Sequence, residues 1–141
     1  MAVAAGICDG LGLGANAKAS LLCRGLAEMG VVLEGLGGEA STLYGLAGLG
    51  DLLATANSSL SRNYRLGGLL AEGWGEKEAI NRIGASVEGP RTARAVVRLA
   101  DERGWRLPIC GQVVALLEGR IDASGAVQAL MERDLRPEAE A

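Results

Sequence analysis

Between Ala15 and Leu36 the apolar residues Ala17, Leu21, Leu22, Leu26, Met29 and Leu33 return at steps of one, three and four, while Lys18, Arg24 and Glu28 lie mostly on other sides. Such spacing repeats one face of a helix and predicts an amphipathic helix over this stretch. Asn16 is placed to accept from the free N–H groups of its first turn, and Gly35 to Gly38 end it. Gly25 and Gly30 fall inside it, each at a cost of about 1 kcal/mol relative to Ala unless another backbone packs close. A second helix is predicted from Pro90 to Arg103, with Ala93, Val96, Val97 and Ala100 facing one way and Arg91, Arg94, Arg98 and Glu102 another. Proline suits its start and Gly104 its end.

Pro108 then opens a run in which Ile109, Val113, Leu116 and Leu117 make a buried stripe, and Ala126, Val127, Leu130 and Met131 repeat that pattern behind Asp122 and Ser124. Shorter patterns lie at Leu43 to Ala56, rich in small and apolar residues, and at Glu76 to Ile83, where Ile80 and Ile83 are three apart. Leu135 to Ala141 have little to bury and read as a loose tail. No repeat or linker divides the chain, so the expectation is one compact all-α domain over residues 1–134 with a tail at 135–141.

Composition supports helices: 45 of 141 residues are Ala or Leu, against 17 Val, Ile or Thr. The 22 glycines exceed ordinary usage of about 7% and imply tight helix contacts, chain breaks at a site, or both. The longest uncharged stretches, Ala40 to Gly50 and Leu107 to Leu117, fall well short of the roughly 18 residues a membrane span needs, and the start does not read as a secretory signal. A formal charge of -3 offers no broad positive field for nucleic acid. Cys8, Cys23 and Cys110 are odd in number and unaccompanied by any His, which argues against a disulfide framework and a zinc site and fits a reducing cytoplasm. Without His, acid/base work falls to Lys, Asp, Glu, Tyr or Cys.

Four segments carry candidate chemistry, three of them polar breaks. Gly10-Leu11-Gly12-Leu13-Gly14 invites a dinucleotide-loop reading with Glu34 as the ribose acid, but its spacing is not G-x-G-x-x-G and Ala2 to Ile7 make a poor strand; a turn between helices is the better reading. Asp51 and Thr55, four apart, share a helix face among almost wholly apolar neighbours. Asp51 either caps a helix or stands exposed at a bend, or it enters a cleft to pair with a cation or a ligand hydroxyl. Asn57 to Arg65 gather a guanidinium, an amide and hydroxyls at a helix break, which suits a surface loop or a phosphate site, since Arg donates two parallel hydrogen bonds to phosphate. In Ser86 to Arg91, Glu88 either contacts a ligand or favours the positive end of the next helix.

In order, Ala4 to Ala19, Gly45 to Leu52, Ser61-Arg62-Asn63, Val87-Glu88-Gly89 and Arg91-Thr92-Ala93 resemble the C-terminal domain of bacterial NAD(P)-dependent glycerol-3-phosphate dehydrogenase, over nearly the whole chain. The resemblance implies a helical domain of the 6-phosphogluconate dehydrogenase-like superfamily that walls a cleft against an N-terminal Rossmann domain absent here. It implies reversible hydride transfer between NAD(P)H and dihydroxyacetone phosphate, giving sn-glycerol 3-phosphate for phospholipid synthesis, in the cytoplasm. By position, Asp51 would sit at the substrate and orient the catalytic lysine, with Thr55 a further candidate beside it. Ser61, Arg62 and Asn63 would hold the substrate and its phosphate. Arg62, Ser86 and Glu88 would touch the cofactor, NAD or NADP, which binds mainly to the Rossmann domain.

One departure stands out: the family's proton-transferring lysine would fall three residues upstream of Met1, and the only lysines are Lys18 and Lys77. The chain alone is therefore expected to be inactive. The contrasting expectation is a non-catalytic helical interaction or homodimerisation module whose apolar face, normally covered by the Rossmann partner, drives self-association.

Overall fold

A computed structural model describes residues 1–132, and among them every regular element is helical. The helices are α1 (Ala2–Gly10), α2 (Ala15–Gly35), α3 (Ala40–Leu43), α4 (Asp51–Ala56), α5 (Arg62–Ala71), α6 (Glu76–Ile83), α7 (Gly89–Arg103), α8 (Pro108–Leu117) and α9 (Ala123–Met131), with a π-helical turn at Leu46–Gly50 just before α4. The expected all-α fold is what forms. The tail expected at 135–141 lies outside the described residues.

The centre of the fold is the crossing of α1 and α5, which hydrophobic spacing does not reveal. Helix α1 is apolar as far as Cys8, Val3 to Cys8 being buried without a break, so before Asp9 it has no polar face to give a period. It meets α5 backbone to backbone. A Cβ added at Gly67 would stand 2.8 Å from the Ile7 nitrogen and 2.9 Å from the Gly6 Cα, and one at Gly6 would stand 2.9 Å from the Tyr64 carbonyl carbon. Part of the glycine surplus is therefore spent on close helix contact. Around this crossing Val3, Ile7, Leu66 and Leu70 join Ala79 of α6, Ile109, Val113, Leu116 and Leu117 of α8 and Ala123 of α9 in one core.

The end signals of α7 and α9 and the apolar stripe of α8 are as the spacing predicts. Helix α7 has Pro90 in its first turn and ends on Gly104 at φ 71, a left-handed position that suits glycine. The Ile109, Val113, Leu116 and Leu117 stripe of α8 is buried, and the Asp122 side chain caps α9 by accepting from the Gly125 N–H at 2.7 Å. Arg94 of α7 holds Glu76 of α6 through two bonds of 2.9 and 2.5 Å.

Four expectations need correction. Helix α2 starts at Ala15 behind Gly14, whose φ of 89 turns the chain out of the α1–α2 loop, so Asn16 is inside the first turn and does not cap it. Gly25 and Gly30 face side chains, those of Met1 and Leu43, and no other backbone packs against them. Met131 is 67% exposed, at the end of α9 and off its buried stripe. Leu43 to Ala56 are three pieces rather than one helix, because Gly48 packs against the backbone of Leu43, where a Cβ would come within 2.8 Å of the Leu43 Cα.

The largest departure on α2 is Glu28, read as part of its polar side but buried to 6%. Its carboxylate reaches 81 residues along the chain to accept from the Ile109 N–H at 2.6 Å and from the Cys110 N–H at 3.1 Å, the open donors at the start of α8. Pro108 opens α8 without a local side-chain cap, so Glu28 supplies one from a neighbouring helix. Burial pushes the Glu28 carboxyl above the ordinary Glu range, against the opposing pull of those two N–H groups. A raised folded value means that the proton-linked stability is fully present below the unfolded value and is lost as pH rises through the folded one. Glu28→Ala is expected to destabilise the chain by about 2–4 kcal/mol, since buried donors lose their partner. In urea titrations across pH 4 to 7, the advantage of wild type over Glu28→Gln should shrink as pH rises; a growing advantage would contradict this account.

Candidate functional site

The site is assembled where α5 and α7 begin. Ser61 caps α5, its Oγ accepting from the Tyr64 N–H at 3.2 Å, so Arg62 and Asn63 stand in the first turn and not in a loose loop. From that turn Arg62 Nη1 donates to the Ser86 carbonyl oxygen at 3.0 Å, and Asn63 Oδ1 accepts from the Gly89 N–H at 2.8 Å. Gly89 allows the close approach, because a Cβ there would stand 3.0 Å from the Asn63 Cγ. Two of the three polar breaks in the sequence, 57–65 and 86–91, thus meet through direct hydrogen bonds.

This bonding fixes what remains available. With its Oδ1 occupied, the Asn63 amide has its Nδ2 as donor, and with Nη1 occupied the exposed Arg62 guanidinium keeps Nη2 and Nε, a pair spaced for two phosphate oxygens. Glu88 is exposed at the start of α7 and makes no side-chain cap.

Asp51 begins α4, directly after the π turn, and is exposed. None of the three ion pairs among the described residues includes it. The Thr55 hydroxyl donates to the Asp51 carbonyl oxygen at 2.9 Å and to that of Leu52 at 3.3 Å, so Thr55 answers its own helix backbone rather than the Asp51 carboxylate. No hydrogen bond joins Asp51 to the Arg62 cluster. Around Asp51 the chain exposes Tyr44, Leu46, Leu53 and Leu60, with Leu46 90% and Leu60 89% accessible.

Spacing gave no sign of a second polar cluster, which reaches the first turn of α5 through Tyr64. Asp9 at the end of α1 accepts from Lys18 Nζ of α2 at 2.7 Å and from the Tyr64 hydroxyl of α5, and the ammonium of Lys18 lies 5.3 Å from the centre of the Tyr64 ring. Burial alone would raise the Asp9 carboxyl, but the bonds from Lys18 and Tyr64 and the charge of Lys18 together hold it below the usual range. The bond to Asp9 pushes the Tyr64 hydroxyl up. Both partners are nine or more residues from Asp9, and such contacts leave no periodic trace.

Other candidates are set aside by their surroundings. Gly10 to Gly14 join two helices, not a strand to a helix, so they are no dinucleotide loop. Burial, with the neighbouring Glu28 carboxylate, pushes the Cys110 thiol up to about 12, and burial also raises Cys8, so both stay protonated at neutral pH. Among the described residues no three His, Cys, Asp or Glu side chains gather as metal ligands, and no helix is long and apolar enough to cross a membrane. A cavity of about 70 Å³ lined by residues of α1, α2, α8 and α9, among them Ile7, Leu21 and Val127, includes none of the residues discussed above as ligand contacts.

The family model for the C-terminus of NAD-dependent glycerol-3-phosphate dehydrogenase matches residues 1–128. The chain belongs to this family. It is 58% identical over 138 residues to glycerol-3-phosphate dehydrogenase [NAD(P)+] of Synechococcus sp. (strain RCC307), covering 98% of this chain and 46% of that protein. It is 48% identical over 139 residues to that of Acaryochloris marina (strain MBIC 11017), covering 99% of this chain and 45% of that one. The crystal structure of glycerol-3-phosphate dehydrogenase from Coxiella burnetii superposes with a TM-score of 0.90 at 46% identity, covering 94% of this chain and 41% of that chain. The chain thus spans about half the length of the curated relatives it matches.

Proposed function

We propose that this chain is the substrate-holding wall of an NAD(P)-dependent glycerol-3-phosphate dehydrogenase that interconverts dihydroxyacetone phosphate and sn-glycerol 3-phosphate for glycerophospholipid synthesis in the cytoplasm. The observation that carries the reading is the turn Ser61-Arg62-Asn63, locked against Ser86 and Gly89 with guanidinium and amide donors left over, in a chain of this family. Arg62 takes the phosphate through its two remaining donors, Asn63 Nδ2 and the Ser61 hydroxyl add neutral ones, and Asp51, with Thr55 behind it, orients the reacting end.

NAD(P)H supplies the hydride that reduces the carbonyl carbon. The nucleotide would meet Arg62, Ser86 and Glu88, and the residues present fit only its edge, since the glycine-rich stretch Gly10 to Gly14 joins two helices. Most of the cofactor is held by an N-terminal Rossmann domain that packs over this wall.

No lysine of the chain is free at the site: Lys18 is paired with Asp9, and Lys77 is exposed on α6. The 141-residue chain alone should therefore bind the phosphate ligand without turning it over. Saturating sn-glycerol 3-phosphate, at about 100 times its dissociation constant, should stabilise it by about 2.7 kcal/mol, with no oxidation of NADH or NADPH in the presence of dihydroxyacetone phosphate. Robust turnover would contradict the inactivity, and absence of any stabilisation would contradict the ligand. The exposure of Tyr44, Leu46, Leu53 and Leu60 favours a second reading, an interaction or homodimerisation module; a monomer at high concentration in sedimentation would remove its dimeric form.

A further inference from the structure

We infer that Asp9, Lys18 and Tyr64 form a positioning network that aims Arg62 and Asn63, so that the grip on a phosphate-bearing ligand is set from behind by a carboxylate shared between a tyrosine and a lysine. Its ligand consequence rests on the reading above; its geometric consequence does not.

The need for such a device follows from the helix crossing. Gly6 on Gly67 sets how closely α1 and α5 approach, and Val3, Ile7, Leu66 and Leu70 pack around that point, but neither Arg62 nor Asn63 belongs to that core. Arg62 and Asn63 ride on the first turn of α5, and a small roll of that helix would swing both side chains away from Ser86 and Gly89. Tyr64 is held at four points that oppose this roll. Its N–H is taken by Ser61 Oγ, its carbonyl packs on Gly6, its hydroxyl is held by Asp9, and its ring carries the Lys18 ammonium. The hydroxyl and ring contacts tie the start of α5 to the end of α1 and the start of α2 at once. The Lys18 side chain is confined, 13% exposed, while that of Asp9 is 34% exposed, so the pair is shielded from water on the lysine side. Arg62 and Asn63 are two and one residues before Tyr64, too close along the helix to turn independently of it.

The readout is the Gly89 amide, whose hydrogen is held by Asn63 Oδ1 and reports the aim of the turn without any ligand. Tyr64→Phe keeps the ring and removes only the hydroxyl. In hydrogen exchange on the 141-residue chain it should speed Gly89 about tenfold while the amides of Val113 to Leu117 in α8 keep their wild-type rates. Asp9→Asn, which weakens the same contact from the other end, should move Gly89 in the same direction. In parallel titrations the dissociation constant for sn-glycerol 3-phosphate should rise about tenfold in Tyr64→Phe. Unchanged Gly89 exchange in both variants would overturn the network, and so would faster exchange spread equally through α8, which marks general loosening. Failure of the wild-type chain to bind glycerol 3-phosphate would overturn the proposed function instead, and Gly89 exchange would still decide the network.

Discussion

Gly67→Ala is expected to cost this domain about 3 kcal/mol or more, enough to leave a small helical fold largely unfolded under mild denaturant. The reason is spatial. One methyl at Gly67 enters the backbone of α1 between Gly6 and Ile7, and backbone atoms on both sides cannot move aside as a flexible side chain can. Relief requires the two helices to separate, which opens the core that Val3, Ile7, Leu66 and Leu70 share. The neighbouring residue is the control. A Cβ at Gly68 meets nothing within 4 Å, and Gly68 is in the interior of α5, so Gly68→Ala should be neutral or stabilise by up to about 1 kcal/mol. Urea unfolding of both variants followed by circular dichroism checks the pair, and equal effects would contradict a glycine-mediated crossing.

Removal of the guanidinium should leave stability almost untouched and take away most of the ligand affinity. Arg62 is exposed and its one hydrogen bond among the described residues runs to the Ser86 carbonyl, which water can serve in its absence. Arg62→Ala is expected to weaken binding of sn-glycerol 3-phosphate about 100-fold, in line with loss of a charged, two-pronged phosphate contact. Arg62→Lys should recover only part of this, because an ammonium is a point charge and lacks the paired donors. Calorimetric titration measures both. Equal affinity in wild type and Arg62→Ala would move the phosphate elsewhere.

Much of the helical framework could be read from spacing because α6 and α7 each set an apolar face against a charged one, and because Pro90, Gly104, Pro108 and Asp122 mark the ends of α7, α8 and α9. The centre could not. Helix α1 is short and apolar up to Asp9, and α5 was masked by the polar run Ser61 to Arg65 at its start, which resembles a loop until Ser61 is seen to cap it. Glu28 shows the same limit from the opposite side: an acid on an amphipathic helix reads as solvated, and only the distant start of α8 explains its burial.

The site divided likewise. The Ser61 to Asn63 and Ser86 to Gly89 breaks were each legible as polar interruptions, but their meeting depends on Gly89 lacking a side chain, which composition does not disclose. Asp51 was legible as an anomaly among apolar neighbours, and its exposure beside Leu46 and Leu53 fits a face that other structure covers. Asp9, Lys18 and Tyr64 were not legible together, since three separate helices bring them to one point.

The most direct measurement is a titration of the uniformly ¹⁵N-labelled chain with sn-glycerol 3-phosphate, followed amide by amide. The account predicts saturable shifts concentrated at residues 61–64 and 86–89, with inorganic phosphate moving the same set more weakly. Shifts confined to the lining of the apolar cavity, at Ile7, Leu21 and Val127, with residues 61–64 and 86–89 unmoved, would contradict it.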